Sequence, residues 1–230
     1  MKKTDTNADM SYQNGLRYKV AEFLDSIQKN GLLVTIDKLY QRLYYKVKKV
    51  DFSTQNLHEL DRVGEHKENG TALVSTSKDF LHIVLNRLEE VSGEKLDKSV
   101  FIDLGSGKGA TLIHSVNFGY EKSIGIEFAK ELHEVAVENI KKLKVKNANS
   151  LLADAATYNF PKNSSVIFMF NPFDKIVMEK AVANIEKSDF EKSVYIIYVN
   201  PSCEDVLEGH FKLIAEDSYP SGARVNYYLV

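Results

Sequence analysis

From Leu16 onward apolar residues recur at helical spacing: Leu16, Val20, Phe23, Leu24 and Ile27 share one face, and Asn30-Gly31 supplies a stop. A second amphipathic stretch begins near Thr35. Ile36, Leu39, Leu43, Val47 and Val50 lie on one side, and Lys38, Arg42, Lys46, Lys48 and Lys49 on the other, against one acid, Asp37. A third helix follows Ser75-Thr76-Ser77, where Thr76 with Asp79 reads as a capping box. Phe80, Ile83, Val84, Arg87, Leu88 and Val91 continue its spacing, and Ser92-Gly93 ends it. The first 15 residues are polar and predict a loose terminus. Residues 51–71 are turn-rich and predict a long connection, a lid or a loop.

After Lys98 the pattern changes. Short apolar runs without period-2 alternation, at Ser99–Leu104, Ser123–Glu127, Ser150–Ala153, Val166–Phe170 and Ser193–Val199, predict strands buried on both faces. Helical stretches lie between them, near Ala110–Phe118, Lys130–Leu143 and Lys175–Lys187. Phe211–Asp217 and Arg224–Val230 are joined by a turn too short for a helix and predict an antiparallel hairpin. The expected fold is α/β: a doubly wound, mostly parallel seven-stranded sheet closed by a C-terminal hairpin and preceded by a helical N-terminal region. The expected division is a terminus over 1–15, a helical region and lid over 16–97, and a ligand-binding domain over 98–230.

Composition narrows the class. With 43% hydrophobic and 27% charged residues, the 230-residue chain is not disordered. A formal charge of −2 argues against a whole-protein grip on nucleic acid or anionic membrane. The basic stripe at 38–49 reads as a solvated face; RNA, an acidic protein or a membrane surface are the partners it would otherwise suit. One cysteine, Cys203, excludes an internal disulfide and a cysteine-built metal site, and the six histidines show no ligand spacing, so no metal is expected. No apolar run spans a membrane, and the polar start lacks a signal-peptide core, so the expected location is the cytoplasm.

The chemistry concentrates between the first strand and its helix, at Asp103-Leu104-Gly105-Ser106-Gly107-Lys108-Gly109. Glycines there let the backbone turn sharply and press against a ligand, and the following helix offers unpaired N–H groups. Glu127 ends the second strand, placed to accept ribose hydroxyl protons; Asp154, within Ala153-Asp154-Ala155, ends the third, placed to accept from an adenine amine. A P-loop is excluded because Gly109, not Ser or Thr, follows Lys108. Gly105, Gly107 and Ala110 also satisfy the dinucleotide fingerprint, so an NAD(P)-binding oxidoreductase is a rival, as is a non-catalytic binding protein that keeps the fold. Asp103 before the turn, the third glycine and the hairpin weigh against the dinucleotide reading.

Val100–Gly109 followed by Ile124-Gly125-Ile126-Glu127 resembles the class I S-adenosylmethionine-dependent methyltransferases, over about residues 75–230. The Asp-Leu-Gly-Ser-Gly-x-Gly form is similar to non-SET lysine methyltransferases and small bacterial relatives. The resemblance implies a Rossmann-like methyltransferase fold with S-adenosyl-L-methionine as cofactor. It implies that Asp103, Gly105, Ser106, Gly107 and Gly109 cradle the methionine and ribose, that Glu127 binds ribose, and that Asp154 with Ala155 approaches adenine. Thr76 would cap a helix or lie near the cofactor carboxylate. Phe170-Asn171-Pro172-Phe173 would face the transferred methyl, with Asn171 and Phe173 as catalytic candidates; an Asn-Pro turn is the alternative, and Asn200-Pro201 repeats it. One proline is missing from the form that marks enzymes methylating planar amides or amines. The implied reaction transfers methyl to a nitrogen or oxygen of a protein side chain or small molecule, with nucleic acid the less favoured acceptor.

Overall fold

The structure, a computed structural model, describes residues 20, 21, 23–28, 31–53 and 75–230. The polar terminus, the start of the first helix at Leu16, most of the 51–71 connection and residues 70–74 lie outside the described residues. The chain divides into two compact units, Met1–Val50 and Asp51–Val230. In the first, residues 23–28 are helical, and α1 spans Leu32–Lys48. The α1 side expected to be buried stays open: Ile36 is 50% exposed, Leu43 61% and Val47 70%.

The second unit begins with α2 (Lys78–Ser92), followed by β1 (Val100–Leu104), α3 (Ala110–Phe118), β2 (Lys122–Glu127), α4 (Lys130–Leu143) and β3 (Ala148–Leu152). It continues through β4 (Ser164–Phe170), α5 (Lys175–Glu186), β5 (Tyr195–Val199), the short α6 (Glu204–Glu208), β6 (Lys212–Ser218) and β7 (Arg224–Leu229). The strands form one seven-stranded sheet in the order β3-β2-β1-β4-β5-β7-β6. Neighbours from β3 to β5 run parallel, and β7 lies antiparallel between β5 and β6. The expected sheet and hairpin are both present.

Every residue of β1 and β5 is buried, which is why these segments read as unbroken apolar runs. On one face Ile102, Leu104, Ile167, Met169 and Ile196 pack with Met178 and Val182 of α5. On the other, Phe101, Phe168 and Ile197 pack with Leu81, Val84, Leu85 and Leu88 of α2. Helix α2, which the pattern groups with the N-terminal region, is thus a cover of the sheet. Its N-cap is Ser77, whose hydroxyl accepts from Phe80 N–H at 3.3 Å, one residue later than the capping-box reading. That shift leaves Thr76 before the cap, buried.

The chain winds outward from β1 to β2 and β3, then returns to place β4 on the other side of β1. The direction therefore reverses between the carboxyl ends of β1 and β4, where open α/β sheets take ligands.

Candidate active site

Strand β1 delivers Asp103 and Leu104 to that reversal, and the glycine loop follows. Gly105 has φ +79°, and a Cβ there would lie 2.6 Å from Pro172 Cβ. The missing side chain thus admits Pro172 from the β4 corner. The loop packs on β2 as well: Gly105 N–H and Ser106 N–H donate to Ile126 O at 2.9 and 3.3 Å, and Gly109 N–H donates to Ser106 O at 2.9 Å. Gly125 in β2 makes room for Ser106, whose Oγ would sit 2.3 Å from an added Cβ.

Glu127 and the loop lock together. One carboxylate oxygen accepts from Gly107 N–H at 2.7 Å, the other from Ala129 N–H at 2.8 Å, and the residue is buried. Ala153 N–H donates to Glu127 O at 3.0 Å, which sets Asp154 beside Glu127 at the same edge. Asp154 is half-buried and accepts from Ala156 N–H at 2.9 Å; Ala155 is buried. Asp103 is buried and accepts from the Thr111 hydroxyl. Burial pushes its carboxyl up to about 7; the Thr111 hydrogen bond opposes this and the charge of Glu127 adds to it.

A narrow cavity of about 30 Å³ opens on this loop, lined by Phe52, Thr76, Asp103, Gly105, Ser106, Lys108, Thr111 and Phe170 among others. Ser106 Oγ is buried and has no hydrogen-bond partner, an unusual state for a buried hydroxyl. Sharing Ser75, Thr76 and Phe170 with it is a wider, open groove of about 380 Å³, completed by Ser77, Phe80, Asn200 and the β6–β7 turn at Ser221–Ala223. Predicted residues Thr76, Asp103, Gly105 and Ser106 therefore line one cavity; Glu127 and Gly107 are joined beside it.

The β4 corner differs from expectation. Asn171 is left-handed, φ +42°, and this turns the chain so that Phe173 enters the core, 5% exposed, beside Val177 and Met178. Phe173 packs in the core and lines neither cavity. The aromatic at the cavity is Phe170, one residue before the corner and part of the stretch expected to face the methyl, and Phe80 joins it at the adjoining groove. Asn171 Oδ1 accepts from Ser202 Oγ at 2.5 Å and from Tyr198 OH at 3.4 Å. Asn200 makes the matching left-handed corner after β5, φ +48°, and its side chain accepts from Arg224 N–H at 3.1 Å. Among the described residues no group of three or more His, Cys, Asp or Glu could hold a metal, and no helix is long and apolar enough to cross a membrane.

Comparison with known proteins bears on this geometry. The family described as "Conserved hypothetical protein 95" matches residues 82–225. The ribosomal RNA small subunit methyltransferase D of Buchnera aphidicola subsp. Baizongia pistaciae (strain Bp) is 26% identical over 143 residues, which cover 59% of this chain and 72% of that one. A SAM dependent methyltransferase from Aquifex aeolicus superposes with a TM-score of 0.52 at 17% identity, covering 68% of this chain and all of that one. The N-methyltransferase NodS from Bradyrhizobium japonicum WM9 does so with a TM-score of 0.50 at 11% identity, covering 64% and 93%.

Proposed function

The chain belongs to the family described as Conserved hypothetical protein 95, and on that footing we infer that it is a class I S-adenosylmethionine-dependent methyltransferase, acting on a nitrogen or oxygen of an RNA base. Neither the oxidoreductase nor the non-catalytic reading gains support. The observation that carries the assignment is the unpartnered Ser106 hydroxyl in a cavity walled by the glycine loop, with a second groove opening directly onto it.

The residues fit the cofactor. Ser106 offers a hydroxyl and the loop an approach without side chains at the methionine and ribose end. Glu127, pinned by two backbone N–H groups, presents its carboxylate for the ribose, and Asp154 with Ala155 takes the adenine end. When bound, S-adenosylmethionine supplies an activated methyl and a good leaving group. The chain's own task is alignment and exclusion of water, worth about 7–11 kcal/mol of barrier in well-oriented systems. Thr76 and Phe170 stand between the two cavities, so they orient both partners.

An RNA acceptor is favoured by the matched ribosomal RNA methyltransferase and by the groove itself. Among the described residues its lining carries two aromatic faces, hydroxyls and an amide and no charged side chain, which suits a neutral planar ring rather than a lysine ammonium. The near-neutral net charge, which weighed against nucleic acid, leaves phosphate contacts to local clusters of cations rather than to the charge of the whole protein.

Labelled S-adenosylmethionine with a ribosome-depleted and a ribosomal fraction of cell lysate tests both parts. Label that enters the ribosomal fraction and is released by nuclease supports the reading. Label released only by protease, or only by solvent extraction, refutes the RNA acceptor. Calorimetry that finds a nicotinamide dinucleotide bound and S-adenosylhomocysteine not bound refutes the methyltransferase.

A further inference from the structure

We propose that Asp51-Phe52-Ser53 is a strap across the methionine end of the cofactor site, with Phe52 as a cofactor-contacting residue and Lys108 and Asn139 as the positioning residues that hold it there. The proposal rests on the cofactor reading above but concerns residues that reading does not use. Asn139 is an amide 1% exposed within α4. A buried amide is costly unless its groups are satisfied. Here Oδ1 accepts from Asp51 N–H at 3.0 Å, while Nδ2 donates to Asp51 O at 2.8 Å and to Lys108 O at 3.0 Å. One side chain thus ties the strap backbone to the glycine loop.

Lys108 makes the second tie. Its ammonium turns to the strap, donating to Asp51 Oδ2 at 2.7 Å and Ser53 Oγ at 3.0 Å, with the side chain 5% exposed. The other Asp51 oxygen accepts from Ser53 N–H at 2.8 Å and Ser53 Oγ at 2.6 Å, closing the turn on itself. Burial tends to raise the Asp51 carboxyl, but the Lys108 and Ser53 hydrogen bonds prevail and hold it at about 2, so it is a carboxylate at neutral pH.

Phe52 is therefore presented between two pinned neighbours. Its ring meets His114 edge-on at 6.2 Å and lines the cavity with Thr76, Asp103, Gly105 and Ser106. A strap of purely structural use would need no aromatic facing the one cavity that holds the orphaned Ser106 hydroxyl. Because Lys108 belongs to the loop that cradles the ligand, strap and loop share one foundation, and displacing either weakens the other.

Calorimetric titration with S-adenosylhomocysteine tests this, beginning with the wild type; absence of binding there overturns the cofactor reading and the strap's role with it. With wild-type binding in hand, Phe52→Ala is expected to raise Kd about tenfold, equivalent to 1.4 kcal/mol, while the ligand-free melting temperature stays near that of the wild type. Lys108→Met and Asp51→Asn are expected to raise the KM for the cofactor with kcat kept at saturation, and the double variant to be no worse than the poorer single. Should Lys108→Met fail to fold, Asp51→Asn reads the same pair from its half-exposed side. Unchanged cofactor affinity in Phe52→Ala, or additive effects in the double variant, would overturn the proposal.

Discussion

Three glycines share one backbone conformation but differ in the room around them, so they separate two effects that usually arrive together. Gly105, Gly109 and Gly222 have φ of +79°, +79° and +85°. A Cβ at Gly105 would meet Pro172 Cβ at 2.6 Å; at Gly109 it would meet Ala136 Cβ at 3.1 Å; at Gly222 it would meet nothing within 4 Å among the described residues. Alanine at any of them bears the left-handed penalty of about 1–2 kcal/mol, reduced by about 0.4–1 kcal/mol through the stiffer unfolded chain. These two contributions cancel when variants are compared. The remaining difference is overpacking, about 1–3 kcal/mol for a core that cannot yield. Gly105→Ala should therefore be less stable than Gly222→Ala by about 1–3 kcal/mol, with Gly109→Ala between them. For a chain of this size each kcal/mol is roughly 2–4 °C of melting temperature, which differential scanning fluorimetry resolves. Equal losses in all three variants would refute the claim that Gly105 is demanded by Pro172.

Ser106→Ala should leave the melting temperature level or higher, since it removes an unpaired buried hydroxyl, yet weaken S-adenosylhomocysteine by about two- to tenfold for a lost hydrogen bond of 0.5–1.5 kcal/mol; a fall in stability with affinity intact would contradict the site. The raised Asp103 carboxyl implies that the ligand-free fold holds a proton the unfolded chain gives up. Its contribution is fully present below about pH 4 and is lost as pH rises through about 7, so melting temperature measured from pH 5 to 8 should fall, and Asp103→Asn should flatten that slope. Phe173→Ala, deep in the core, should lose about 3–5 kcal/mol in urea unfolding, whereas Phe170→Ala should spare stability by comparison and raise the acceptor KM; the reverse ranking would restore Phe173 to the acceptor side.

Much of the fold is readable from the chain because the signals are local. Ala110–Phe118 and Lys130–Leu143 coincide with their expected bounds, the first stopped by Gly119 in the left-handed region. Strand β4 starts two residues before its apolar run, because Ser164 and Ser165 are buried with their hydroxyls bonded to Pro161 O and Val100 O. Polar residues satisfied by backbone look like loop. The short α6 carries too few residues for a period to show. The glycine loop and the strand-end acids stand out by spacing alone, but which aromatic of the Phe170–Phe173 stretch lines the groove does not. Its identity depends on the left-handed turn at Asn171, which exchanges Phe170 for Phe173. The ties among Asp51, Lys108 and Asn139 span 57 and 88 residues of sequence and leave no local trace.

The contact of Pro172 with Gly105 has a consequence for anyone redirecting this enzyme to a new acceptor. It makes the β4 corner and the glycine loop a single mechanical part, so, on the proposed reading, a substitution at 170–173 that reshapes the acceptor groove also disturbs the loop that would hold the cofactor. Across the groove, the Ser221–Ala223 turn has no such partner among the described residues, and none of them lies within 4 Å of the place a side chain at Gly222 would enter. Specificity is therefore most freely rewritten from the hairpin side, where a new wall can be raised without moving the floor.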